Sequence, residues 1–305
     1  MSGADLLLFF VPCLIWGTTW LVIKAQLGAV APEVSVAWRF GLASAVLLGW
    51  CLLRGVPLRF GLRRHLELAL LGSLLFAVNY VLVYRAEGSL TSGLVAVVFA
   101  LIIFWNLLGA RLFFGTPAPP AVVAGAVLGV AGLALLFWPE VTSLRAEGRQ
   151  GMGLLYAVAG SLVASAGNLY SQRLFARGVP VVSATAWAMG HASLQVLAWC
   201  LALGVPLGFD GRPAYVLSLL YLALLGSVVA FVAYLTLLQR LGVGRAGYTT
   251  AVIPVVAMLA STLFEDYRWT AAAAAGLGLV LAGTVLVVRA KAQAARVTPP
   301  AGSAA

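Results

Sequence analysis

Apolar runs of near-span length alternate along this chain with short clusters of charge, proline and glycine. The pattern predicts helices at about 6–23, 34–53, 66–84, 90–114 and 121–138. Five more follow, at about 152–172, 181–204, 214–238, 247–264 and 270–288. The two-residue alternation of a barrel strand is absent, and lipid offers no partner for open backbone groups, so the runs read as helices. The first run, Leu6 to Ile23, has no basic residue before it and exceeds the apolar core of a signal peptide, so it reads as a first span. The predicted fold class is an all-α integral membrane protein of ten transmembrane helices.

Composition strengthens this reading: of 305 residues 63% are hydrophobic and 9% charged, which leaves no room for a soluble domain beside a single anchor. The net charge of +10 would suit nucleic acid only if one soluble face gathered it, and no such face exists. Counted on alternate sides of the ten spans, twelve basic residues fall on the side of the termini and six opposite, with Arg39 inside a helix. By the positive-inside rule both termini are expected in the cytoplasm. Cys13, Cys51 and Cys200 lie singly in apolar runs, without disulfide or metal spacing, and read as small apolar residues.

The chain also repeats itself. Leu70-Leu71-Gly72-Ser73 matches Leu224-Leu225-Gly226-Ser227 at an offset of 154, which also pairs Tyr80 with Tyr234 and Gly93 with Gly247. At 151 Gly125 pairs with Gly276 and Gly132 with Gly283; at 149 Ala37-Trp38 pairs with Ala186-Trp187 and Lys24 with Arg173. Five helices is an odd number, so a second copy enters the membrane with opposite polarity. The expectation is two inverted five-helix repeats around a central cavity, 1–140 and 151–290, followed by a disordered cytoplasmic tail at 291–305.

Trp16-Gly17 followed by Lys24, Arg39 early in the second helix, Pro254 in the ninth, Glu265, and Gly-spaced fifth and tenth helices resemble the drug/metabolite transporter superfamily in its EamA-type, ten-helix branch. The resemblance covers essentially the whole chain and extends to YddG-like amino-acid exporters within the superfamily. Two positions depart from it: Ala100 stands where the repeat has Pro254, and Arg111 where it has Glu265. The resemblance implies export of a small metabolite, an amino acid foremost and otherwise another metabolite or drug, across a bacterial inner membrane. It implies alternating access, without ATP and without any cofactor. The expected partners are that small-molecule substrate and the lipid bilayer, with no nucleic acid, and a monomer is the working expectation.

Polar residues inside the spans locate the candidate site, because an ionisable group in lipid costs about 2.5–3.5 kcal/mol on insertion scales. Arg39 lies about 8 Å along its helix at 1.5 Å per residue, near the outer face. It either pairs with loop carbonyls or Glu87, or serves a substrate carboxylate or outer gate. Glu87 is either a solvated hairpin charge or half of a breakable ion pair with Arg39. Trp187, His191 and Gln195 share one face of helix seven; His191 either hydrogen-bonds a neighbouring helix or lines the cavity, and it is the best intrinsic candidate for proton coupling. Phe76, Asn79, Tyr80 and Tyr84 form a stripe on helix three, and Tyr234 and Trp16 add rings. The expected substrate-binding set is Phe76, Asn79, Tyr80, Tyr84, Trp187, His191, Gln195, Tyr234 and Trp16, with Arg39 and Glu87 gating. Asn79, Asn106, Asn168, Thr18 and Thr19 also lie within spans and either form interhelical hydrogen bonds or line the cavity. No paired carboxylates, Ser/His set or metal ligands fall within spans, so an enzyme is not expected. The competing class is a membrane structural or assembly protein.

Overall fold

A computed structural model describes residues 3–28, 30–115, 120–136, 148–234, 236–237 and 249–297. The first apolar run becomes α1, Gly3–Lys24, which ends on a lysine where the helix dipole favours a cation. Next comes α2, Pro32–Leu53, with proline in its first turn, where a missing N–H costs nothing. It is followed by α3, Leu62–Glu87, whose middle, Ser73–Val78, is a π-helical segment. Then come α4, Ser92–Phe99; α5, Ile102–Phe114; α6, Pro120–Leu136; α7, Arg149–Phe175; and α8, Val181–Ala202. The last are α9, Pro213–Tyr234, with a π-helical segment at Tyr221–Val229; α10, Thr249–Phe264; and α11, Ala271–Val297.

Six helices of the described residues are long and apolar enough to cross a bilayer: Asp5–Lys24, Pro32–Leu53, Leu62–Glu87, Ser92–Phe113, Arg149–Phe175 and Pro213–Tyr234. Shorter apolar helices are Pro120–Leu136, Val252–Phe264 and Ala271–Leu286. With 22 residues α8 matches α2 in length, but it carries Ser183, Thr185, His191, Ser193 and Gln195 and is not among the six.

Three expected boundaries move. The helix expected from 66 begins at Leu62, which takes His65 into α3. The run at 90–114 is divided at Ala100–Leu101, where Leu101 N–H donates to Val98 O at 3.0 Å and Phe104 N–H to Leu101 O at 2.9 Å. These are i→i+3 bonds of a tightened turn, formed without glycine or proline. The residues from 291 to 297, expected as tail, continue α11, because Ala, Lys, Gln and Arg are good helix formers and the cations suit a C-terminus. Most of the expected repeat boundary, Glu140 to Gly151, lies outside the described residues.

Helices far apart in sequence pack in pairs: α6 on α11, α2 on α8, α1 on α10 and α3 on α7. The first pair meets backbone to backbone. A Cβ added at Gly132 would lie 2.6 Å from Gly276 O, and one at Gly276 2.6 Å from Gly132 O, so both crossings need glycine. In the second pair Ser44 Oγ donates to Ala186 O and Ser193 Oγ to Ala37 O, each at 2.8 Å. Residues 37 and 186, and 44 and 193, are both 149 apart, so each helix gives the other the same bond.

The turns after these two helices correspond as well. Gly55-Val56-Pro57-Leu58 and Gly204-Val205-Pro206-Leu207 share a sequence, and both glycines hold φ of 66°. Trp187 Nε1 donates to Leu58 O and Trp38 Nε1 to Gly208 O, each at 3.1 Å. Each helix thus bonds, through one tryptophan, to the turn that follows its partner.

Candidate functional site

The expected site residues divide among three places. The first is a cluster around Arg39, which α2 carries on the face opposite α9. Its side chain is 1% exposed. Nε donates to Ser227 Oγ at 3.1 Å, and the guanidinium carbon lies 4.6 Å from the Tyr80 ring centre and 5.2 Å from that of Phe40. Ser227 belongs to the π-helical segment of α9, and its hydroxyl donates on to Leu222 O at 2.9 Å. Nη1 has no hydrogen-bond partner among the described residues, although the Tyr84 hydroxyl is close by.

Rings extend this cluster. Phe40 meets Tyr80 at 4.7 Å and Phe76 at 5.1 Å, Phe76 meets Phe231 at 5.4 Å, and Phe231 meets Trp16 at 5.1 Å. Trp16 also meets Tyr234 at 5.3 Å and donates through Nε1 to Gly226 O at 3.0 Å. Phe76, Tyr80, Trp16, Tyr234 and Arg39 are therefore brought together. Asn79 is buried, with Nδ2 donating to Leu75 O at 3.1 Å and Oδ1 without a partner among the described residues. Tyr84 continues the stripe, but its hydroxyl donates to Gln26 Oε1 at 2.7 Å, beyond α1. Tyr221 and Thr18 hydroxyls lie 2.7 Å apart across α9 and α1. Asn106 accepts from Ser165 at 2.8 Å, an interhelical bond of the kind expected for these amides.

The second place gathers Trp187, His191 and Gln195, which point toward the first turns of α3 and away from the stripe at 76–84. His191 Nε2 lies 3.2 Å from Nδ1 of His65, and the His65 ring stands edge-on to Trp187 at 4.7 Å. Gln195 accepts from Ser73 Oγ at 2.6 Å and donates to Ala69 O at 3.1 Å. Nearby, Glu67 pairs with Arg64 at 2.6 Å and Arg177 at 3.1 Å. Sequence reasoning missed His65 because hydropathy began the helix at 66. The available signal was spacing: His65, Ala69 and Ser73 stand four apart, as do His191 and Gln195.

The third place lies at the opposite end of α3, where Glu87 sits apart from Arg39. No ion pair joins them among the described residues; the expected gate pair is replaced by other partners. Glu87 is 0% exposed and not a solvated hairpin charge, because α4 starts directly beyond it and Ser92 Oγ contacts its Oε2 at 3.0 Å. The ion pair found here is Lys24 with Glu265, at 3.4 Å, joining α1 to the end of α10. Arg85 pairs with Glu33 beside it. Among the described residues no group of three or more His, Cys, Asp or Glu could hold a metal ion.

The family model described as "EamA-like transporter family" matches the chain twice, at residues 4–138 and 151–289. The "Uncharacterized inner membrane transporter YedA" of Escherichia coli (strain K12) is 31% identical over 289 residues, 92% of this chain and 90% of that protein. The "Probable amino-acid metabolite efflux pump" of the same strain is 23% identical over 303 residues, 94% of this chain and 96% of that one. A solved structure titled "Crystal structure of protein", 23% identical, superposes with a TM-score of 0.68 over 98% of this chain and 100% of its own, a likeness of fold.

Proposed function

The chain belongs to the EamA-like transporter family, and from that membership we propose that it exports a small amino acid, or a similar zwitterionic metabolite, across the inner membrane. Arg39 carries this reading. A buried charge in a membrane protein is costly and is retained for a use. This one is enclosed by rings and a serine, with no salt bridge among the described residues. A substrate carboxylate would satisfy Nη1. The side chain would lie among Phe40, Phe76, Tyr80 and Trp16, and Asn79 Oδ1 stands free to accept from an ammonium group. Trp187, His191 and Gln195 then serve the closure on the other side.

The two matched segments are read as an inverted repeat. The paired Ser44 and Ser193 bonds, the paired tryptophans and the Gly132–Gly276 crossing support that reading. With both termini cytoplasmic, as the basic bias favours, Lys24 marks the outer end and His65 the inner one. Alternating access would open them in turn around Arg39.

The test is uptake and counterflow of labelled amino acids in liposomes. Saturable flux, reduced tenfold or more by Arg39→Gln at equal protein, is expected. Flux of neutral compounds alone, or unchanged amino-acid flux in the variant, would overturn the substrate assignment.

A further inference from the structure

At the Lys24 end one hydroxyl serves two carboxyl groups. Ser92 Oγ lies 3.0 Å from Glu87 Oε2 and 3.1 Å from Glu265 Oε1. A hydroxyl has one proton to give and lone pairs to receive. If it donates to one carboxylate, the other gains nothing from it unless that group brings a proton of its own.

The surroundings decide which group that is. Glu265 accepts the Ser92 backbone N–H at 3.0 and 3.3 Å, takes the Ser261 hydroxyl, and has the Lys24 ammonium at 3.4 Å. This is a full set of partners for an ionised carboxylate. Among the described residues Glu87 has Ser92 alone, and its Oε1 is buried without a partner. The cations packed around it are engaged elsewhere. Lys24 of α1 serves Glu265 and donates to Leu90 O at 2.6 Å. Arg85 of α3 holds Glu33 of α2, with Tyr156 of α7 beside it, and exposed Arg149 of α7 reaches Gly88 O at 3.5 Å. An ionised Glu87, itself fully buried, would therefore add a second, unmatched negative charge next to Glu265.

We propose that Glu87 holds a proton whenever this end is closed, donating its O–H to Ser92 Oγ while Ser92 donates to Glu265. Closing takes up one proton from water on that side. Opening admits water, the Glu87 O–H bond breaks toward it, and a solvated carboxylate remains; no electrons move. The gate is thus sensitive to pH on the Lys24 side: alkaline conditions hold it open and acid holds it shut. Naming that gate the outer one rests on the proposed transport reading, whereas the proton does not.

Two measurements on the full chain in vesicles test this. The first is infrared spectroscopy near neutral pH: the C=O band of a protonated carboxyl should be present in the wild type and lost in Glu87→Gln. The second is thiol labelling of Leu90→Cys, in a background of Cys13→Ala, Cys51→Ala and Cys200→Ala. Measured relative to an introduced thiol at an exposed site, which carries the thiolate's own pH dependence, labelling should accelerate with rising pH, by up to about tenfold per unit for one linked proton. With Glu87→Gln added this relative rate should stay low throughout. Absence of the band, its persistence in Glu87→Gln, or an unchanged pH response in Glu87→Gln would overturn the proposal. If the band and labelling behave as expected while no amino acid is transported, the proton on Glu87 stands and the transport reading falls.

Discussion

The α2–α9 contact and the α8–α3 contact occupy corresponding places in the two matched segments, and they are filled by different means. Gly72 of α3 faces Ala188 of α8 so closely that an added Cβ would strike the Ala188 carbonyl. At the counterpart, Gly226 of α9 faces Arg39 of α2, and an added Cβ would lie 3.4 Å from Nη2 and 2.9 Å from Thr19 Cγ2. The flanking serines differ in the same way: Ser73 bonds to Gln195, Ser227 to Arg39. One contact is a helix crossing closed by backbone. The other has the same backbone design with room left for a guanidinium. A buried guanidinium has been added to one copy of a packing motif, and the other copy shows what the motif looks like without it.

Making the copies alike is the harshest test of that contrast. Ala188→Arg puts a guanidinium where Gly72 leaves no room, and a cost above about 4 kcal/mol is expected, read as loss of folded protein on extraction. The reverse change, Arg39→Gln, removes the added charge and spares the packing. Flux should fall at least tenfold, about 1.4 kcal/mol, with thermal stability unchanged or raised, since unpaired buried charges stabilise little. Arg39→Lys should not restore flux, because a point charge cannot reproduce the planar donor fork.

The glycines sharpen the comparison further. Gly72→Ala presses on backbone and should destabilise by about 1–3 kcal/mol, whereas Gly226→Ala presses on side chains that can yield and should cost less than about 1 kcal/mol. Thermal unfolding in nanodiscs ranks the two, and equal costs would remove the distinction. The smallest effects belong to the features that both copies share. Ser44→Ala and Ser193→Ala should each cost about 0.6 kcal/mol, alike within error, as interhelical bonds in membranes do.

Much of this arrangement was legible in the chain. Long apolar runs announced the helices, and Arg39 within its run and the rings four residues apart on α3 were each singled out, although not as neighbours. The cross-helix partners were not legible, because hydropathy reports what faces lipid and not what faces another helix. That is why Glu87 was expected opposite Arg39 when its neighbours are Ser92 and Glu265. It is also why Trp187, His191 and Gln195 were assigned to the stripe at 76–84. The π-helical segment Ser73–Val78 contributes to that error, since an extra residue in the turn changes the phase between His65 and Tyr80. No residue type signals such a turn. The repeated Gly-Val-Pro-Leu turn, by contrast, stood in plain sequence at 55 and 204 and was a stronger mark of the repeat than the scattered glycines.

The pairing of α2 with α8 and of α6 with α11 has a consequence for how the chain is made. When the ribosome has delivered residues up to Leu136, α2 and α6 have both been made without the helices they will pack against, and Arg39 without Ser227. For the time it takes to synthesise the next segment, the arginine has only the membrane surface to reach toward. Its place early in α2, within a side chain's length of that surface, makes this wait tolerable. An arginine moved two turns deeper would face the same wait with nowhere to go.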